Sequence, residues 1–155
     1  MVTATPPNKI ENTNLLIVTY GLAAALCVMV LSQLLNFEGF VEILFSYQLF
    51  NHPGSIALAI ILIVLEIFSL PVLLRLWLSP LMRMVSSFCL LLAPAAWTSL
   101  IVFTYTSGNA IATTGMLGHY VKISLSIGII LSAVLLVTAT WSYAILGGHK
   151  AVRRS

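Results

Sequence analysis

Four long apolar runs divide the chain, at 15–35, 56–78, 82–105 and 121–145. Each run is continuous, without alternation of apolar and polar positions. Each is long enough for a helix to cross a hydrocarbon core of about 30 Å, which takes about 20 residues. Only helices and closed barrels satisfy their own backbone in lipid, and barrel strands alternate, so the runs predict helices. The predicted class is all-α: an integral membrane four-helix bundle. The first run exceeds a signal-peptide core of about 7–15 residues, and no A-x-A site follows Leu35, which predicts an uncleaved first span. Residues 1–14 form a short polar lead with Pro6-Pro7, residues 15–146 hold the four spans, and residues 147–155 form a basic tail.

The polar positions between the runs predict the rest. Within 36–54, Glu38, Glu42 and Ser46 recur every fourth residue, while Phe37, Phe40, Val41, Leu44, Phe45 and Phe50 cover the remaining circumference. That is an amphipathic helix, too short to span, ended by Asn51-His52-Pro53-Gly54. It is expected at the membrane interface or over the bundle mouth. Residues 106–120 are rich in Thr, Ser, Gly and Asn and predict a solvated or partly ordered connection. Ser79-Pro80 predicts a tight turn between the second and third spans, because proline lacks an amide hydrogen and restricts its predecessor. Gly147-Gly148 suits the end of the last helix. Pro94, in mid-span, cannot donate to the carbonyl of Leu90 and predicts a kink.

Composition sharpens the class. Sixty per cent of residues are hydrophobic and 7% are charged, against about 25% in soluble domains. The mean hydropathy is +1.08, so lipid, not water, solvates this surface. The net charge of +3 comes without a basic run interleaved with aromatics, and nucleic acid is not an expected partner. Four spans put both termini on one side. Lys9, Arg75, Arg83, Lys150, Arg153 and Arg154 then share that side and only Lys122 lies opposite, which predicts cytoplasmic termini in a plasma (inner) membrane. Small residues four apart, at Ser124, Gly128 and Ser132 and at Gly21 and Ala25, predict close helix contacts.

Candidate chemistry centres on Glu66, a lone carboxylate inside the second run. An ionised group at bilayer depth costs about 3 kcal/mol or more, and desolvation favours the neutral acid. Candidate neighbours at similar depth are Trp97, Ser132, Tyr20 and the carbonyl freed by Pro94. Such a group serves as a proton relay, as a hydrogen-bond partner for a lipophilic ligand, or as a buried contact that fixes helix register. On the outer side, Glu38, Glu42, His52 and His119 are further candidates, but their spacing has no metal signature and no metal is expected. Cys27 and Cys89 do not form C-x-x-C and differ in depth, so free buried thiols are expected.

Two stretches resemble the DoxX-like family and its MauE-type relatives, small four-helix membrane proteins. One is Asn36-Phe37-Glu38-Gly39-Phe40 leading into Ile43-Leu44-Phe45-Ser46-Tyr47-Gln48-Leu49-Phe50. The other is Leu65-Glu66-Ile67-Phe68-Ser69-Leu70 followed by Leu73-Leu74-Arg75, with Leu70 and Pro71 where the family has glycines. The resemblance maps the family's second-span carboxylate onto Glu66. It implies an accessory subunit, without catalytic activity of its own, of a quinone- or thiol-linked membrane redox system. The residues themselves predict no cofactor; quinone is one that only the resemblance allows, and other membrane or periplasmic subunits are the partners it implies. The residues alone leave two rivals: a small proton-coupled transporter subunit using Glu66, and a purely structural subunit of a larger membrane complex.

Overall fold

Residues 13–107, 113–118 and 123–148 are described by the structure, a computed structural model. They form α1 (Thr13–Leu35), α2 (Phe37–Ser46), α3 (His52–Leu73), α4 (Pro80–Thr106) and α5 (Leu125–Gly148), with no strand among the described residues. Four of these helices are long and apolar enough to cross a membrane: Leu16–Leu35, His52–Leu73, Pro80–Thr106 and Ser126–Ala144. The chain is thus an all-α bundle of the multi-pass membrane type. Its surface fits that class. Ile17, Val28, Leu31, Ile60, Phe88, Ile130 and Val137 point outward, while Thr19, Gln33, Glu66, Ser69, Ser86, Thr104 and Ser132 are buried. Buried hydroxyls return to their own helices: Ser69 donates to the Glu66 carbonyl at 2.6 Å, and Thr104 to the Leu100 carbonyl at 2.8 Å. In lipid the polar groups find partners inside the protein, and apolar side chains take the outside.

α4 packs between α3 and α5, and α1 closes the ring against α3 and α5. α2 lies on α3 and touches α1. The turn between α3 and α4 is built from backbone chemistry. α3 ends in a Schellman motif: Arg75 takes φ 56°, its N–H donates to the Val72 carbonyl at 3.2 Å, and the Leu76 N–H donates to the Pro71 carbonyl at 3.1 Å. α4 begins with Ser79 as N-cap, its hydroxyl accepting from Met82 N at 3.2 Å, and Pro80 follows in the first turn. Ser86 ties the two helices together by accepting from the Val72 N–H at 3.1 Å.

Several boundaries differ from the sequence expectation. The second span stops at Leu73, not Leu78, because the left-handed Arg75 ends its hydrogen-bond ladder. Asn51-His52-Pro53-Gly54 does not end the amphipathic helix. Asn51 instead caps α3, accepting from Gly54 N at 3.1 Å, and Pro53 sits in the first turn, where its missing N–H costs nothing. α2 ends at Ser46, with Gln48 at φ 56°. The last span begins at Leu125 rather than at 121. Gly21 and Ala25 face outward rather than into a helix contact. Gly128 does make a close approach, but to a loop: a Cβ there would collide with Thr114 Cγ2.

The largest departure is that loop. Thr114, Gly115, Met116 and Gly118 are buried, so 113–118 is not a solvated connection. Its glycines explain how it goes in. Gly115 and Gly118 take φ +69° and +65°, and a Cβ on Gly118 would fall 2.5 Å from the Ser32 carbonyl oxygen. Only glycine permits both the left-handed backbone and that approach.

Candidate functional site: a buried carboxyl cluster

The buried face of α3 runs through Ala59, Leu62, Ile63, Glu66, Ser69, Val72 and Leu73, and Glu66 is one member of that stripe. The buried face of α4 runs through Ser86, Leu90, Ala93, Trp97, Ile101 and Thr104. Spacings of three and four residues bring both side chains to the interface between the helices. Gln33 ends the corresponding stripe of α1 through Leu22, Leu26 and Met29. All three side chains are fully or almost fully buried, at 0% for Glu66 and Gln33 and 1% for Trp97.

They meet on one oxygen. Trp97 Nε1–H donates to Glu66 Oε1 at 2.7 Å, and Gln33 Nε2–H donates to the same oxygen at 3.3 Å. Gln33 Nε2 also donates to the Met116 carbonyl at 3.1 Å, which links the cluster to the buried loop. The loop is held from a second side, because Tyr47, at the C-cap of α2, donates its hydroxyl to the Thr114 carbonyl at 2.6 Å. Thr114 N–H donates to the Ile123 carbonyl at 3.0 Å. Burial pushes the Tyr47 hydroxyl up from its ordinary value of 10.0, so it stays a donor. Phe40 of α2 packs on Trp97, with ring centroids 6.1 Å apart and planes tilted by 42°. The cluster therefore joins α1, α3 and α4 directly, and joins α2 through the loop and the Phe40 ring.

The other oxygens are not all used. Glu66 Oε2, Gln33 Oε1 and Thr114 Oγ1 are buried and have no hydrogen-bond partner among the described residues. An apolar cavity of about 10 Å³ lies next to Trp97, lined by Leu22, Leu26, Met29, Leu90 and Pro94. It is far smaller than the roughly 300 Å³ or more of a cofactor pocket, and it is lined by carbon.

Of the residues expected near Glu66, Trp97 is a direct partner. Ser132 is buried, but its hydroxyl donates to the Ile129 carbonyl of its own helix at 3.0 Å. Tyr20 is 49% exposed and does not join the cluster. It precedes Gln33 by 13 residues on α1, which puts it about 20 Å away along the axis at 1.5 Å per residue. Glu38 and Glu42 are exposed on the open face of α2. His52 is exposed, edge-on to Phe45 at 5.8 Å. His119 lies outside the described residues. No group of three or more His, Cys, Asp or Glu gathers among the described residues, and Cys27 and Cys89 are free thiols.

Sequence reasoning missed Gln33, Tyr47 and the Met116 carbonyl. Gln33 had a signal: it is an amide inside the last turn of an apolar run, on the same face as Leu22, Leu26 and Met29. The Met116 carbonyl had none, since any residue supplies one.

The fold and the site together define a multi-pass helical membrane protein with a buried carboxyl cluster. Comparison with protein-family models, with curated proteins and with solved structures finds no match.

Proposed function

We propose that this chain is a non-catalytic accessory subunit of a membrane assembly, in which Glu66 acts as an interior lock rather than as a reacting group. One observation carries this reading. The Glu66 carboxyl is fully enclosed and accepts hydrogen bonds from two other helices, one of which passes the connection on to the buried loop. In hydrocarbon, where no water competes, leaving a donor such as Trp97 Nε1–H unpaired costs about 1–3 kcal/mol. A carboxyl that satisfies it fixes the register of α3 against α4 and α1.

The link to quinone- or thiol-linked redox chemistry rests on the DoxX-like resemblance, and its partner would be a redox subunit in the plasma (inner) membrane or periplasm. The basic residues favour cytoplasmic termini, which puts α2 and the buried loop on the outer side. An impermeant maleimide added to intact cells should label Ser107→Cys and spare Ser155→Cys; the reverse pattern would overturn this orientation. The function itself is tested by extracting the native assembly in mild detergent and identifying its components by mass spectrometry. Co-migration with a redox enzyme subunit is expected. A chain that migrates alone, and that drives pH-dependent substrate flux in sealed vesicles, would establish the transporter reading instead. That rival draws on Glu66 Oε2, which has no hydrogen-bond partner among the described residues and can carry a proton.

A further inference from the structure

We infer that Glu66 and Gln33 together hold one internal water molecule, bound between Glu66 Oε2 and Gln33 Oε1. Both oxygens are buried and without a partner among the described residues, and both side chains are fully enclosed. Each orphan oxygen shares its terminal carbon with an atom of the Gln33 Nε2 to Glu66 Oε1 bond, 3.3 Å long, so both lie beside that one contact. Two donors converge on Glu66 Oε1, so in the neutral acid Oε2 is the oxygen left to carry the proton. Gln33 Oε1 can only accept, while the water both accepts and donates. The neutral acid then donates from Oε2 to the water oxygen, and the water donates onward to Gln33 Oε1. One solvent molecule thus satisfies two orphan groups that would otherwise each cost about 1–3 kcal/mol.

The alternatives are less economical. Turning the Gln33 amide over would bring its oxygen to Glu66 but set it against the Met116 carbonyl, 3.1 Å from the present nitrogen. Two acceptors would then face each other. An ionised Glu66 would bury a charge with one oxygen unpaired, which lipid penalises more heavily than the neutral form. The apolar cavity beside Trp97 offers no polar partner and is not the water's place. This inference is independent of the accessory-subunit reading, since a lock and a relay can both contain the water.

The test uses the full chain in lipid nanodiscs, with ¹⁵N on the tryptophan indoles. Trp97 Nε1–H is assigned by its disappearance in Trp97→Phe. Its cross-relaxation with the water resonance is then measured in the wild type, in Glu66→Gln and in Gln33→Leu. A cross-peak present in the wild type, kept in Glu66→Gln and lost in Gln33→Leu is the expected result. No cross-peak in the wild type overturns the inference. So does one that vanishes in Glu66→Gln, because it then came from the acid's own exchanging proton. So does one that persists in Gln33→Leu, because Gln33 is then not a ligand. If Gln33→Leu does not fold, the wild type and Glu66→Gln alone decide between the expected and contrary results.

Discussion

α2 and the loop 113–118 cover the same end of the bundle, and they are held there by different means. α2 docks through side chains: Phe40, Val41, Leu44 and Tyr47 are almost fully buried along one face, while Glu38, Glu42 and Ser46 stay exposed on the other. The loop docks chiefly through its backbone, with the Met116 side chain buried in the core beneath it. The Thr114 carbonyl takes the Tyr47 hydroxyl, the Met116 carbonyl takes the Gln33 amide, and Gly118 lies against the Ser32 carbonyl. Side-chain docking leaves a period in the sequence, and backbone docking leaves only glycines. The two segments also reach Glu66 differently. α2 presses on its tryptophan partner, and the loop bonds its glutamine partner.

The comparison breaks first at Phe40. Phe40→Ala removes a fully buried ring that packs on Trp97, at a cost of about 3–5 kcal/mol. Chemical unfolding in detergent should show this, and a cost below 1 kcal/mol would mean that α2 is not docked through its apolar face. The loop's counterpart is Gly118→Ala. A left-handed alanine costs about 1–2 kcal/mol, and its Cβ would meet the Ser32 backbone, which yields less readily than a side chain. The loop should lift, and Met116→Cys, inert to maleimide in the parent because it is fully buried, should become reactive when combined with Gly118→Ala. Unchanged reactivity would show that the close approach is not what seats the loop.

A further effect falls on the joint between the two segments. Tyr47→Phe leaves the buried Thr114 carbonyl without its donor and should cost about 1–3 kcal/mol. The same bond should respond to alkali. Because the folded-state value of Tyr47 is raised, its contribution is fully present below the ordinary value of 10.0 and is lost as pH rises through the folded value. Wild type and Tyr47→Phe should therefore converge in stability at strongly alkaline pH. A difference that stays constant would mean that the hydroxyl is not enclosed.

What the sequence made legible follows the same division. The four spans were readable because lipid demands long uninterrupted apolar runs, and α2 because its polar stripe recurs every fourth residue. Glu66 stood out because a carboxylate is rare at that depth, and Trp97 was readable as a partner by depth alone. Tyr20 was placed by the same depth argument and belongs elsewhere: it lies about 20 Å along α1 from Gln33 and faces outward, because counting along separate runs fixes neither their relative heights nor which way a residue faces. Gln33 was hidden by its position in the last turn of an apolar run, where an amide reads as an interfacial group. The buried loop was hidden because Thr, Ser and Gly are the residues of solvated turns as well as of tight backbone approaches.

The central claim is that Glu66 locks the bundle as a hydrogen-bond acceptor, and the melting of two variants in one detergent tests it most directly. Glu66→Gln keeps a carbonyl where Oε1 accepts from Trp97 and Gln33, and should melt within about 1 kcal/mol of the wild type. Glu66→Leu leaves the Trp97 indole N–H unpaired in the core and should lose about 1–3 kcal/mol. A leucine variant as stable as the wild type, or a glutamine variant as unstable as the leucine one, would contradict the lock.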